Sequence, residues 1–207
     1  MIKINFSKIF NNEIDAQFQT ESNFLIDQDI ATPNQTHSSN VKFVTQPGSY
    51  DNTDGLVTLK KYKLKLMIKV ADCVPIYLYD SKNQLYGLIH SGWRGTKNHI
   101  ILNALEIFKK KGCSNFKDVK VFIGPHIKDL SYEVDWDVAQ YFSFVCKNKK
   151  SKKWLLSLEK EIIFDCISEG ILNENIFVSD ICTFRSKDYE SFRRDGEKSK
   201  RMLGILG

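Results

Sequence analysis

Ala71-Asp72-Cys73-Val74-Pro75-Ile76-Tyr77-Leu78-Tyr79-Asp80, continued after a polar break by Leu85-Tyr86-Gly87-Leu88-Ile89-His90-Ser91-Gly92-Trp93-Arg94-Gly95-Thr96, carries the reading of the whole chain. Val74 to Tyr79 and Leu85 to Ile89 are apolar runs rich in β-branched and aromatic residues. Ser81, Lys82 and Asn83 separate them, which predicts strand, turn and strand. Antiparallel pairing of the two strands would bring Cys73, just before the first, and His90, just after the second, to one end of a sheet. A thiolate and an imidazole held there make half of a zinc site. The plainer alternative is a core cysteine beside a hydrogen-bonded histidine.

After Gly95 the period changes. Ile101, Ala104, Leu105 and Phe108 fall at helical spacing, and Gly112 follows a lysine-rich last turn, so a helix is predicted there. The loop from Ser91 to Thr96 then joins a strand to a helix that Thr96 or Asn98 would cap, with first-turn amides open to an anion. On the N-terminal side, Ile2, Ile4 and Phe6 alternate as a short strand does. Thr32 to Asn40 reads as a polar loop holding Gln35 and His37. Val41 to Gln46 reads as a strand ended by Pro47-Gly48, Asp51 to Gly55 as a turn, and Leu64 to Val70 as a strand with Lys65 and Lys69 outward. On the C-terminal side, Val119 to Ile123 predicts a buried strand, Asp135 to Cys146 and Leu158 to Ser168 two further helices, and Ile176 to Val178 a strand. The tail from Ser191 to Ile205 reads as a strand pair around a polar loop. With neither repeat nor linker, residues 1–207 are expected to form a single domain.

Composition narrows the class. With 207 residues, 42% of them hydrophobic and 12% aromatic, the chain can bury a sizeable core, which excludes general disorder. Its net charge of +5 rests on 25 Lys and only five Arg, four of them after residue 184. Arg94, alone among lysines, is therefore a candidate anion contact. Five Lys between Lys147 and Lys153 read as a solvated loop, and no aromatic-interleaved motif points to nucleic acid. No apolar run is long enough to span a membrane, and no secretory leader is evident. Five widely spaced cysteines do not form a disulfide framework, so a reducing, cytoplasmic setting is the expectation.

His37, Cys73 and His90 recur at loop and strand ends. Two imidazoles and a thiolate would give a three-ligand zinc site with one position open for water or substrate. The intervals of 36 and 17 residues match no compact zinc motif, and spacing alone does not choose between a metal site and separate core roles.

The segments Gln35-Thr36-His37, Asp54-Gly55-Leu56-Val57-Thr58, Ala71-Asp72-Cys73-Val74-Pro75, His90-Ser91-Gly92-Trp93-Arg94-Gly95, Ile123-Gly124-Pro125, Tyr132-Glu133-Val134, Cys182-Thr183 and Arg193-Arg194-Asp195-Gly196 together resemble one family. It is the purine nucleoside phosphorylase family of YfiH type, formerly described as multicopper polyphenol oxidase or laccase. The resemblance covers roughly residues 32–206. It implies an α+β fold of layered, mixed β-sheets covered by helices and a zinc ion held by His37, Cys73 and His90. It also implies phosphorolysis of adenosine, guanosine, inosine and methylthioadenosine, together with deamination of adenosine. Purine nucleosides and phosphate are the partners so implied; the oligomeric state is left open.

Within that expectation Cys73, His90 and Asp72 are the catalytic candidates, with Asp72 orienting a ligand histidine or accepting a proton. Arg94, His126 and Arg194 are the substrate-binding candidates. The chain departs from the family pattern at Ser38, where relatives often carry Gly, at Ser91 for Ala, and at His126 for Cys. Three other readings compete. They are a metal-free thiol hydrolase or amidase using Cys73 and His90, a copper oxidase, and a non-catalytic zinc protein that binds a partner through its basic face. Multicopper chemistry would need more histidines than the four present.

Overall fold

The stretch that opens the sequence reading forms the centre of the protein in the computed structural model, which describes residues 2–20, 28–148 and 150–207. One six-stranded sheet has the order β14 (Ile176–Val178), β10 (Lys120–Ile123), β8 (Val74–Asp80), β9 (Leu85–Ser91), β6 (Gly55–Leu59), β4 (Val41–Phe43). Its middle is the predicted hairpin, antiparallel, with Pro75 opposite His90 and Val74 opposite Ser91. Every residue of β8 and β9 is buried. That accounts for their continuous apolar runs, because both faces of this sheet are covered.

On one face Ile76, Leu78, Leu85 and Ile89 pack against α2 (Ile100–Lys110) and α4 (Leu158–Ser168) through Ile101, Leu105, Phe108 and Ile162. On the other, Tyr77, Tyr79, Tyr86 and Leu88 meet Leu66, Ile68, Val70 and Met202 of a second sheet. That sheet has the order β1 (Lys3–Asn5), β2 (Ala16–Gln19), β15 (Met202–Leu206), β7 (Lys65–Val70), β3 (Ile30–Pro33), β5 (Gly48–Tyr50). The result is a layered α+β fold: sheet, sheet, helices. A small third sheet, β11 (Glu133–Val134), β13 (Trp154–Leu156) and β12 (Val145–Lys147), lies beside these layers in the chain's second half. No helix among the described residues is long and apolar enough to cross a membrane.

Several expectations need correction. Asp135 to Cys146 is not a helix. Only α3 (Trp136–Ala139) is helical, and Val145–Lys147 pairs as a strand with Trp154–Leu156, leaving Cys146 exposed on it. The helical spacing of Val138, Tyr141, Phe142 and Val145 is outweighed by this hairpin, whose connection is the lysine run; Lys149 within it lies outside the described residues. Residues Ile30–Pro33 form β3 where a polar loop was expected to begin. The tail is not a strand pair. Phe192–Asp195 is a helical turn, α5, capped by the Ser191 side chain, and β15 alone is a strand, inserted between β2 and β7. The helix after Gly95 is broken in two. A short α1 (Trp93–Lys97) precedes α2, and His99 at the junction is left-handed, with φ 52°. Thr96 does not cap; its hydroxyl bonds that of Ser91 at 2.8 Å.

Candidate metal centre and its cleft

The register of the β8–β9 hairpin sets Cys73 and His90 at one end of the central sheet, and the loop after β3 delivers His37 to them. Their ligand atoms all lie within 4.8 Å of one another, and the two imidazoles meet edge to face at 4.9 Å. His90 is buried, Cys73 half-buried and His37 exposed, so the group opens outward on one side. Gly92 lies close beside it: a Cβ there would sit 3.0 Å from the Cys73 sulfur and 3.2 Å from His37, so both would have to give way slightly.

Asp54, wholly buried at the start of β6, organises the group. Its carboxylate accepts from His90 Nδ1 at 2.8 Å, from the backbone amides of Thr36, His37 and Ser38, and from the Ser38 hydroxyl at 2.7 Å. Those bonds curl the loop so tightly that His37 takes φ 58°, a conformation disfavoured for a residue with a Cβ. One carboxylate thus fixes the His90 side chain and the backbone that carries His37, and with Nδ1 engaged His90 has Nε2 left as its ligand atom. Gln35 clamps the same loop to β7, donating to the Lys69 carbonyl at 2.7 Å and accepting from its amide at 2.8 Å.

The charges agree with this arrangement. Burial raises the Cys73 thiol, but hydrogen bonding to His37 and His90 outweighs it and brings the group down to about 6. Burial lowers His90, yet Asp54 and then Cys73 hold it up at about 9. Burial likewise opposes the ionisation of Asp54, and the bonds from His90 and Ser38 keep its carboxyl well below the usual range. An anionic thiolate between two imidazoles is a donor set that suits a borderline-soft divalent ion, with three protein ligands leaving room for a further one. His37, Cys73 and His90 could therefore hold a metal ion.

The remaining sequence candidates stand elsewhere. Asp72 does not orient a ligand histidine. Its carboxylate accepts from Thr183 and Ser191 hydroxyls and the Arg193 amide, and it pins the C-terminal turn to the end of β8 at φ 76°. Arg94 is exposed, with its guanidinium 4.4 Å over the Trp93 ring, and does not line the cleft. Arg194 donates to the carbonyls of Thr183, Phe184, Ser186 and Tyr189 and pairs with Asp195, so its donors staple its own loop. His126 is buried between the Gly124 carbonyl, 2.8 Å away, and Glu159, and it too lies away from the cleft.

A cleft of about 1100 Å³ opens beside the three-residue group. Ile30, Met67 and Leu203 contribute apolar surface, Phe192 a half-exposed ring, and Lys69 and Arg201 positive charge. Sequence reasoning missed these roles and that of Asp54. The available signal was strand alternation within β7, where Met67 and Lys69 stand two apart and both line the cleft.

Comparison with known proteins agrees with this architecture. The family model described as multi-copper polyphenol oxidoreductase laccase matches residues 12–207. A purine nucleoside phosphorylase of Clostridium acetobutylicum is 33% identical over 189 residues, covering 86% of this chain and 77% of its own. One from Borreliella burgdorferi is 37% identical over 164 residues, covering 75% and 69%. Among solved structures, the hypothetical protein YfiH of Bacillus licheniformis superposes with a TM-score of 0.84 at 25% identity, covering 95% of this chain and 93% of that one. YlmD of Geobacillus stearothermophilus, at 23% identity and a TM-score of 0.83 over 94% and 91%, shares the fold.

Proposed function

This chain belongs to the multi-copper polyphenol oxidoreductase laccase family of YfiH type, and from that premise we propose that it is a zinc-dependent purine nucleoside phosphorylase that also deaminates adenosine. The carrying observation is the His37–Cys73–His90 group facing a cleft with an apolar floor. The proposed substrates are adenosine, guanosine, inosine and methylthioadenosine, with phosphate. Zinc held by His37, Cys73 and His90 would supply Lewis acidity and a water made acidic enough to react near neutral pH.

The chain's own side chains do the positioning. Asp54 fixes the tautomer and direction of His90 and the path of the His37 loop. Ile30, Met67 and Leu203 offer apolar lining to a purine, and the half-exposed Phe192 ring offers a stacking face. In phosphorolysis a phosphate oxygen bonds C1′ of the ribose as the bond from C1′ to the purine nitrogen breaks, and the purine departs with a proton. In deamination an oxygen from water replaces the exocyclic amino group, which leaves as ammonia. The oxidase sense of the family name asks for more imidazoles than this site can gather. His99 is tied to Asp165 and His126 to Gly124 and Glu159, which leaves two.

The test is product analysis of adenosine incubated with zinc-loaded protein in phosphate buffer. Adenine with ribose 1-phosphate establishes phosphorolysis, and inosine or hypoxanthine establishes deamination. Both should vanish in Cys73→Ala. The low-lying thiol between two imidazoles also suits a metal-free thiol hydrolase, and absence of any purine product despite bound zinc would transfer the assignment to that reading.

A further inference from the structure

We propose that Lys69 and Arg201 form the phosphate-binding end of the cleft, holding a phosphate dianion over the outer face of the β7–β15 ladder. The inference rests on the phosphorolysis reading for the identity of the ligand and on the sheet register for its place. In β7 the residues Leu66, Ile68 and Val70 point into the core between the sheets, so Met67 and Lys69 point outward. Lys69 pairs directly with Leu203, which puts Arg201 two residues along on the same face, within diagonal reach of Lys69.

Both cations are exposed and both line the cleft. Among the described residues no Asp or Glu lines it, and no carboxylate pairs with either side chain. The Lys69 backbone is fixed by Gln35, and Arg201 is oriented by donating Nη1 to the carbonyls of Ser199 and Lys200. Among the described residues its Nε and Nη2 make no hydrogen bond, and its guanidinium carbon lies 5.8 Å from the centre of the Phe192 ring. Two cations of fixed origin facing a cleft without acidic side chains select an anion, and a guanidinium with an ammonium suits the three terminal oxygens of a phosphate group. Arg94, the cation singled out by sequence, does not reach this space.

The experiment titrates inorganic phosphate, and separately adenosine 5′-monophosphate, into wild type, Lys69→Met and Arg201→Gln by calorimetry, with zinc content and melting temperature as controls. A Lys69→Glu variant adds a sign change at an exposed position. Each neutralisation is expected to weaken phosphate binding about tenfold or more, and Lys69→Glu to abolish it. In turnover the KM for phosphate should rise by a similar factor while the KM for nucleoside stays within about twofold. Competition between the two probes tells whether the site prefers the free ion or a nucleotide's phosphate; dependence on Lys69 and Arg201 upholds the site for either.

Equal binding by wild type and all variants, or none by wild type, overturns it. Phosphorolysis with an unchanged phosphate KM in the variants removes this site and leaves the function standing. Charge-dependent phosphate binding without turnover of any purine nucleoside keeps the site and removes the function.

Discussion

An amide at position 54 keeps the size of the carboxylate but loses the charge that draws His90 and the Thr36–Ser38 amides together. Asp54→Asn is therefore expected to weaken zinc binding roughly 10- to 100-fold, as loss of an outer partner of a ligand histidine does. Competition with a chromogenic chelator measures it; an unchanged affinity would free Asp54 of that role. Cys73 and His90 give a second expectation at this scale. In metal-free protein, carboxymethylation of Cys73, followed by peptide mass mapping, should rise with pH through about 6 and then level off. With zinc bound it should stay slow until a chelator is added. The signs also set the stability of the metal-free form. A depressed thiol contributes stability that is complete above its ordinary value of 9.0 and lost as pH falls through about 6. A raised imidazole contributes stability that is complete below 6.5 and lost as pH rises through about 9. Between about pH 6.5 and 9 the thiol's gain and the imidazole's loss offset each other, so the melting temperature of the metal-free protein should be nearly level across that range and fall slightly towards pH 6; a steep slope between pH 6.5 and 9 would contradict the pairing. The three nominated side chains were legible because each sits at a break between loop and strand. Asp54 was not, since Asp-Gly reads as a turn and its partner His90 lies 36 positions away.

The hairpin of β8 and β9 is the element that converts sequence order into site geometry. Gly92 lies opposite Cys73 at its open end, with φ −84° and ψ −178°, an extended conformation that any residue adopts. Gly92→Ala therefore imposes no backbone strain, and its cost falls on the ligand atoms that the new methyl would crowd. We expect zinc affinity to drop about tenfold or more while the melting temperature of the metal-free protein changes little. A variant that binds zinc normally would show that the thiol and His37 have room to move. Elements of this strength were readable in advance. The hairpin shows as two continuous apolar runs, and α2 and α4 place their buried residues at helical spacing. The strands of two to four residues carry no period of their own; β11, β12 and β13 exist because they pair with one another, and Val145 to Lys147 follows its partner strand against its local helical spacing.

At the scale of the molecule, the last strand is the least local feature of the fold. Met202 to Ile205 is readable as a strand, but nothing near it announces its partners. It bonds to β2, some 185 residues earlier in the chain, on one side and to β7 on the other, and so joins the two parts of one sheet. Its five residues are all buried, Met202 and Leu206 against the central tyrosines and Leu203 and Ile205 on the outer face. Tyr77 ties the layers further by donating its hydroxyl to the Gln17 carbonyl at 2.8 Å. Removing residues 202–207 would delete four buried apolar side chains, each contributing about 1.5–3 kcal/mol by burial, and separate β1 and β2 from β7, β3 and β5. That loss is comparable to the whole stability of a domain, about 5–15 kcal/mol. The truncated chain is expected to lose native near-ultraviolet circular dichroism and zinc binding together, because Lys69, Arg201 and the ligand loop all hang on β7 and its neighbours. A truncated protein that still melts cooperatively and holds zinc with native affinity would mean that the helix-covered sheet folds alone, and that the outer sheet serves only to shape the cleft.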